Sequence, residues 1–151
     1  MTLHALTIQQ PWAHAILHLG KRVENRTWAW TKGIGADLAI HAGKARDPVG
    51  DGFIHGLGLT LPADLAHGAI VGLVTVAGVH HASRCVHETG EHNRHCSVWA
   101  TGMQYHWELI DPRPVEPVPC RGALGVWTVP DEIAEVLIVL ARQHHRQGER
   151  A

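Results

Sequence analysis

The sequence predicts an α+β fold, with five or six short strands forming a small, closed or nearly closed sheet and helices at its periphery. Three observations lead there. Short apolar runs bounded by glycine recur along the chain, among them "ADLAIHAG", "GAIVGLVTVAGVHH" and "YHWELID". One long stretch of helical periodicity, "PDEIAEVLIVLARQHHRQGER", closes the sequence. With 151 residues, 45% hydrophobic and 18% charged, the chain suits one domain with a buried core and is no disordered polymer.

The elements follow in order. "LHALTIQ" alternates loosely and reads as a first strand at about residues 3–9. "PWAHAILHLG" reads as a helix, with Pro11 at its first position, Trp12, Ile16 and Leu19 on one face, and Gly20 free to take the left-handed cap. Lys21 therefore stands just past a helix end, where the chain turns into the extended "RVENRTW". "ADLAIHAG" is a buried strand, and a short helix with irregular chain fits "ARDPVGDGFIHGLGLTLPADLAHG". "GAIVGLVTVAGVHH" carries the strongest strand pattern. Residues 82–104 are polar and long for a loop in a compact domain. "YHWELID" is a strand, "PRPVEPVPCRG" must be extended because each proline disfavours helix before it, and "ALGVWTV" completes the set. In the last helix Ile133, Val136, Leu137, Leu140 and Ala141 share a face, and the tail is expected to fray after about Gln143.

Composition limits the function classes. Thirteen Lys plus Arg against fourteen Asp plus Glu exclude a global attraction to nucleic acid, so any polyanion contact needs a local basic patch. Fourteen histidines make the chain more cationic in mild acid. Cys85, Cys96 and Cys120 show no disulfide spacing and are expected as reduced thiols. No apolar run reaches membrane-spanning length and "MTLHALTIQQPW" does not resemble a secretion signal, so a cytoplasmic location is the expectation.

"QPWAHAILHLGKRVENRTW" resembles the signature of the ASCH domain family, and "LAIHAGK", "CSVWA" with "HWELIDPRPV", and "PVPCRGALGVW" are similar to its later stretches, in the same order. The resemblance covers roughly residues 3–129. Gly20 directly precedes Lys21, where the family often has glycine one position earlier. The resemblance implies a PUA-like β-barrel, set at residues 1–130, and the helical periodicity adds 131–151 as a C-terminal helix and frayed tail of the same domain. The resemblance also implies a concave face that binds RNA or modified nucleosides, rimmed by residues 10–28, 41–44 and 96–99. The candidate nucleic-acid contacts are Gln10, Trp12, Lys21, Glu24, Arg26, Trp28, His41, Lys44 and Trp99 on that rim, joined by Arg121 from another strand end. Cations from separate element ends suit phosphate, and an indole from Trp12, Trp28, Trp30 or Trp99 suits a base face. Glu24 can orient both neighbouring cations or accept from a base edge. The blander alternative is a structural Lys21–Glu24–Arg26 salt-bridge cluster beside core indoles.

Whether the chain is an enzyme turns on Lys21 and Glu24. One branch of the family deacetylates N4-acetylcytidine with a lysine nucleophile, a threonine and a glutamate. Lys21 matches the lysine, Glu24 occupies the threonine position, and Glu88 or Glu91 are the candidates for the glutamate. The resemblance thus admits an amidohydrolase, a ribonuclease or, from a different class, a protein-interaction module. RNA or a nucleoside is the expected partner, DNA the second polyanion the same contacts admit, and no membrane is expected. Cys85, His87, His92, His95 and Cys96 are ligand types that zinc prefers, but their spacing fits no standard finger. The expectation is therefore a loop over the groove, with no metal and no cofactor. His80 and His81 read as surface or half-buried residues at a strand end, and Trp107 and Trp127 as core.

Overall fold

The computed structural model describes residues 2–85 and 95–149. In chain order they form β1 (His4–Gln10), α1 (Trp12–His18), β2 (Val23–Arg26), β3 (Asp37–Arg46), α2 (Pro48–Gly56), β4 (Ala69–His81), β5 (Tyr105–Pro119), β6 (Val126–Thr128) and α3 (Asp131–Gly148). The strands make one six-stranded sheet in the order β2-β5-β4-β3-β1-β6. β1 and β3 are parallel and every other pair is antiparallel. β2 and β6 end the sheet without pairing to each other, so it resembles a barrel only loosely.

Two long strands carry the curvature. β4 and β5 pair along their lengths with three register shifts, and each shift adds local twist. "YHWELID" and "PRPVEPVP" turn out to be one continuous strand. Its prolines are tolerated because β2 pairs only with Tyr105–Glu108. Beyond that point β5 has a strand partner on one side alone, where a missing N–H costs no ladder bond.

Both faces of the sheet are covered. Alternation in β1 sends Leu6 and Ile8 towards Ile16 and Leu17 of α1, in a core that also holds Leu38, Ile40, Val74 and Trp107. Leu3 and Ala5 point the other way, to Leu137 and Ala141 of α3, with Ile70, Leu73 and Val129. Trp107 is fully buried, whereas Trp127 is only half-buried. α3 does not fray at Gln143 but continues to Gly148, with acids in its first turn and His145 and Arg146 in its last, the polarity that suits a helix dipole.

Candidate functional site: a basic, aromatic cleft

Gly20 sets the site up. It adopts φ +77° just after α1, a conformation that glycine takes without strain. The Lys21 N–H then bonds back to the Ala15 carbonyl (3.1 Å), and the side chain turns inward. Lys21 is 3% exposed. Its Nζ donates to the Val23 carbonyl (2.6 Å) and to Glu24 Oε2 (2.8 Å), and lies 5.7 Å from the Trp12 ring centroid. Glu24 Oε1 is 3.2 Å from Arg26 Nε, and Arg26 Nη2 donates to the Thr7 carbonyl (3.2 Å). One carboxylate is thus braced between two cations, and the trio keeps a net positive charge. The Glu24–Arg26 contact is an ion pair by distance but is poorly aligned as a hydrogen bond, which leaves Arg26 Nε without a hydrogen-bond partner.

The opposite wall is aromatic. Trp12 Nε1 donates to Asp47 Oδ2 (2.8 Å), while Oδ1 of the same aspartate caps α2 through the Val49 N–H (3.0 Å). α2 approaches so closely that a Cβ on Gly50 would stand 2.9 Å from Trp12 Cε2. Phe53 of α2 and Trp99 complete the corner, with ring centroids 5.8 Å (Trp12–Phe53), 6.5 Å (Trp12–Trp99) and 5.6 Å (Phe53–Trp99) apart. Asn25 ties the Trp99 segment to β2 from both ends of its amide, donating to the Trp99 carbonyl and accepting from the Thr101 N–H, each at 2.9 Å.

Between these walls lies a cleft of about 930 Å³, within the range of small-ligand sites. It brings together Trp12, Lys21, Glu24, Arg26, Lys44 and Trp99 of the residues singled out from sequence. Lys44 is exposed at the end of β3.

Four others lie elsewhere. Gln10 faces a second cavity of about 520 Å³ near α1 and α3, bonded to the Ala66 carbonyl and the His14 N–H. Trp28 packs edge-on against Trp107 at 4.9 Å. His41 is buried, 2.9 Å from the Cys120 carbonyl, with its ring edge-on to Trp127. Arg121 is exposed and does not line the cleft.

Conversely, Thr7, Asn25, Phe53, Gln104 and Leu124 do line it. Only Asn25 carried a sequence signal, by standing inside the charged "VENR" stretch. Glu88, Glu91, His87 and His92 fall outside the described residues. The three cysteines are unpaired, and burial pushes the Cys120 thiol up, which suits an unreactive group.

The comparisons agree with this architecture. The profile of the ASCH domain matches residues 6–119. Among solved structures, the ASCH protein of Zymomonas mobilis superposes with a TM-score of 0.56 at 15% identity, covering 91% of this chain and 94% of that one. A tyrosine-to-phenylalanine variant of it gives 0.56 at 15% identity, covering 93% and 99%. At that identity the likeness speaks for the fold alone. No curated protein sequence matches the chain.

Proposed function

The chain belongs to the ASCH domain family, a PUA-like fold usually linked to RNA binding, and from that premise we propose that its cleft binds RNA or a modified nucleoside. The observation that carries the reading is the pairing of an aromatic corner with cations around one opening. Trp12, Phe53 and Trp99 offer apolar faces for a base, and Arg26 and Lys44 stand where phosphate or ribose oxygens would enter. Glu24 holds the direction of Lys21 and Arg26 and keeps acceptor capacity for an exocyclic amine. Trp28, packed on Trp107, takes no part.

Labelled single-stranded RNA tests this by anisotropy across a salt series. Lys44→Ala is expected to weaken binding several-fold and to lower the log–log salt slope by about 0.7, the change for one phosphate contact on a single strand. If Lys44→Ala and Arg26→Ala both leave affinity and slope unchanged, the cleft is not the RNA site.

Amidohydrolysis of an acylated nucleoside is the second reading, favoured by one observation: a lysine amine and a carboxylate stand 2.8 Å apart in the cleft wall. Against it, Nζ has the contacts of a cation, an acid and an indole face, whereas a nucleophilic amine must be neutral. Incubation with N4-acetylcytidine should therefore release no cytidine, and release at catalytic turnover would reverse the order of the two readings.

A further inference from the structure

Behind the Trp99 wall, four metal-ligating side chains converge. His80 lies at the end of β4 and His106 near the start of β5, and the strand register sets them directly opposite each other. Cys85 follows the turn after β4, and Cys96 leads into the Ser97–Ala100 turn. One donor atom from each of the four lies within 4.8 Å of every other, and among the described residues this is the one such cluster. His106 is fully buried and the other three are half-buried.

The distances and the outer contacts both point to a cation. Tetrahedral zinc with two sulfur and two nitrogen ligands requires donor–donor separations of about 3.3–3.8 Å. Here His80 Nε2 and His106 Nδ1 are 3.3 Å apart, and Cys85 Sγ is 3.3 Å from the first and, slightly inside that range, 3.1 Å from the second. Cys96 Sγ is 3.4 Å from His106 Nδ1.

Each imidazole also has an acceptor on its far nitrogen. His106 Nε2 faces the Thr101 carbonyl at 2.6 Å, and His80 Nδ1 faces Glu108 Oε2 at 3.3 Å. Those contacts place the ring proton on the far nitrogen and turn a lone pair from each ring into the cluster, the arrangement found around metal-bound histidines. Two imidazole lone pairs facing each other at this separation repel unless a cation lies between them. Thiol protons relieve this only weakly: Cys85 can donate to His80 and Cys96 to His106, but S–H is a poor donor.

We propose that His80, Cys85, Cys96 and His106 form a structural Zn²⁺ site. Binding releases the two thiol protons to solvent, so the ion and two thiolates make a neutral unit with two neutral imidazoles. Four protein ligands fill a tetrahedral shell and leave no position for substrate, which makes the role structural. The ion pins both ends of the wall that carries Trp99, through Cys96 on one side and through His106 and the Thr101 carbonyl on the other. The proposal does not depend on what the cleft binds.

The wild-type chain, purified reduced and without chelator, is expected to carry one zinc by elemental analysis and native mass spectrometry. After stripping, Co²⁺ should give the visible bands of a tetrahedral site together with thiolate-to-cobalt charge transfer. Readded Zn²⁺ at about 100-fold saturation should raise the thermal midpoint by about 5–10 °C. Cys120→Ser should keep all of this, Cys96→Ser should lose about half of the charge-transfer intensity because only the Cys85 thiolate remains, and Glu108→Gln should bind Zn²⁺ about 10-fold more weakly. A folded wild-type chain without stoichiometric metal and without cobalt–thiolate absorption overturns the proposal. So does a chain lighter by two hydrogens, in which Cys85 and Cys96 have formed a disulfide.

Discussion

Lys21 sits at a cleft wall yet is almost wholly enclosed, so its charge serves the fold before it serves a ligand. Glu24 depends on it: with Lys21 removed, the buried carboxylate keeps only the poorly aligned contact to Arg26. Breaking such a pair from one side is far more costly than replacing it whole. Lys21→Ala is therefore expected to destabilise the chain by about 3 kcal/mol in urea unfolding. Adding Glu24→Gln should recover a good part of that loss, because no unpaired charge then remains buried. A cost below about 1 kcal/mol for Lys21→Ala would show that water reaches Glu24 and that the trio does not brace the wall. This is also why a binding defect in Lys21→Ala is ambiguous, whereas one in the exposed Lys44→Ala reports on the ligand.

At the scale of elements, α1 carries a pH dependence of its own. His14 and His18 stack at 4.6 Å on the helix, and both are held below the ordinary value of 6.5, first by burial and then by a neighbouring imidazole, His18 for His14 and His144 of α3 for His18. Asp64 and Glu116 line the same cavity without reversing that direction. A histidine whose folded value is depressed stays neutral in the native state while the unfolded chain takes up the proton. The stabilisation is therefore complete above about pH 6.5 and is lost as pH falls through the lower folded values. Urea midpoints between pH 7.5 and 5 should decline, and His14→Gln with His18→Gln should flatten that decline. An unchanged slope in the double variant would place the acid sensitivity elsewhere. The same scale explains what the sequence could reveal. Gly20, Lys21, Glu24 and Arg26 are contiguous, so a helix cap and a strand pitch are enough to bring them together. Phe53 and Leu124 reach the cleft only because α2 and the β5–β6 connection fold over it, and Trp28 and His41 leave it because of what packs against them. The Cys/His cluster was half legible for a related reason. Cys85 and Cys96 stood out as ligand types, but His80 and His106 meet through the register of β4 and β5, which no local pattern encodes.

For the whole molecule, the question is whether the last helix belongs to the unit that folds. The family match ends at residue 119, yet the second face of the sheet is closed by residues beyond it. Leu3, Ala5, Ala39, Ile70 and Leu73 pack against Val129, Ala134, Leu137 and Ala141, so without α3 an apolar face spanning β1, β3 and β4 would meet water. One cooperative unit is therefore the expected outcome, since β1 and β3 contribute to both cores at once. Leu137 is fully buried, and Leu137→Ala should cost about 2–5 kcal/mol, whereas ending the chain after Arg142 should cost little because residues 143–149 are exposed. Ending it after Pro130 should instead leave a chain without a sharp unfolding transition. The discriminating measurement is thermal unfolding followed at once by far-ultraviolet dichroism and tryptophan fluorescence. Trp28, Trp30 and Trp107 report the core under α1, and Trp127 the core under α3. Coincident transitions place α3 inside the domain, and a separate low-temperature loss of helix signal, with the fluorescence unmoved, would make it an appendage.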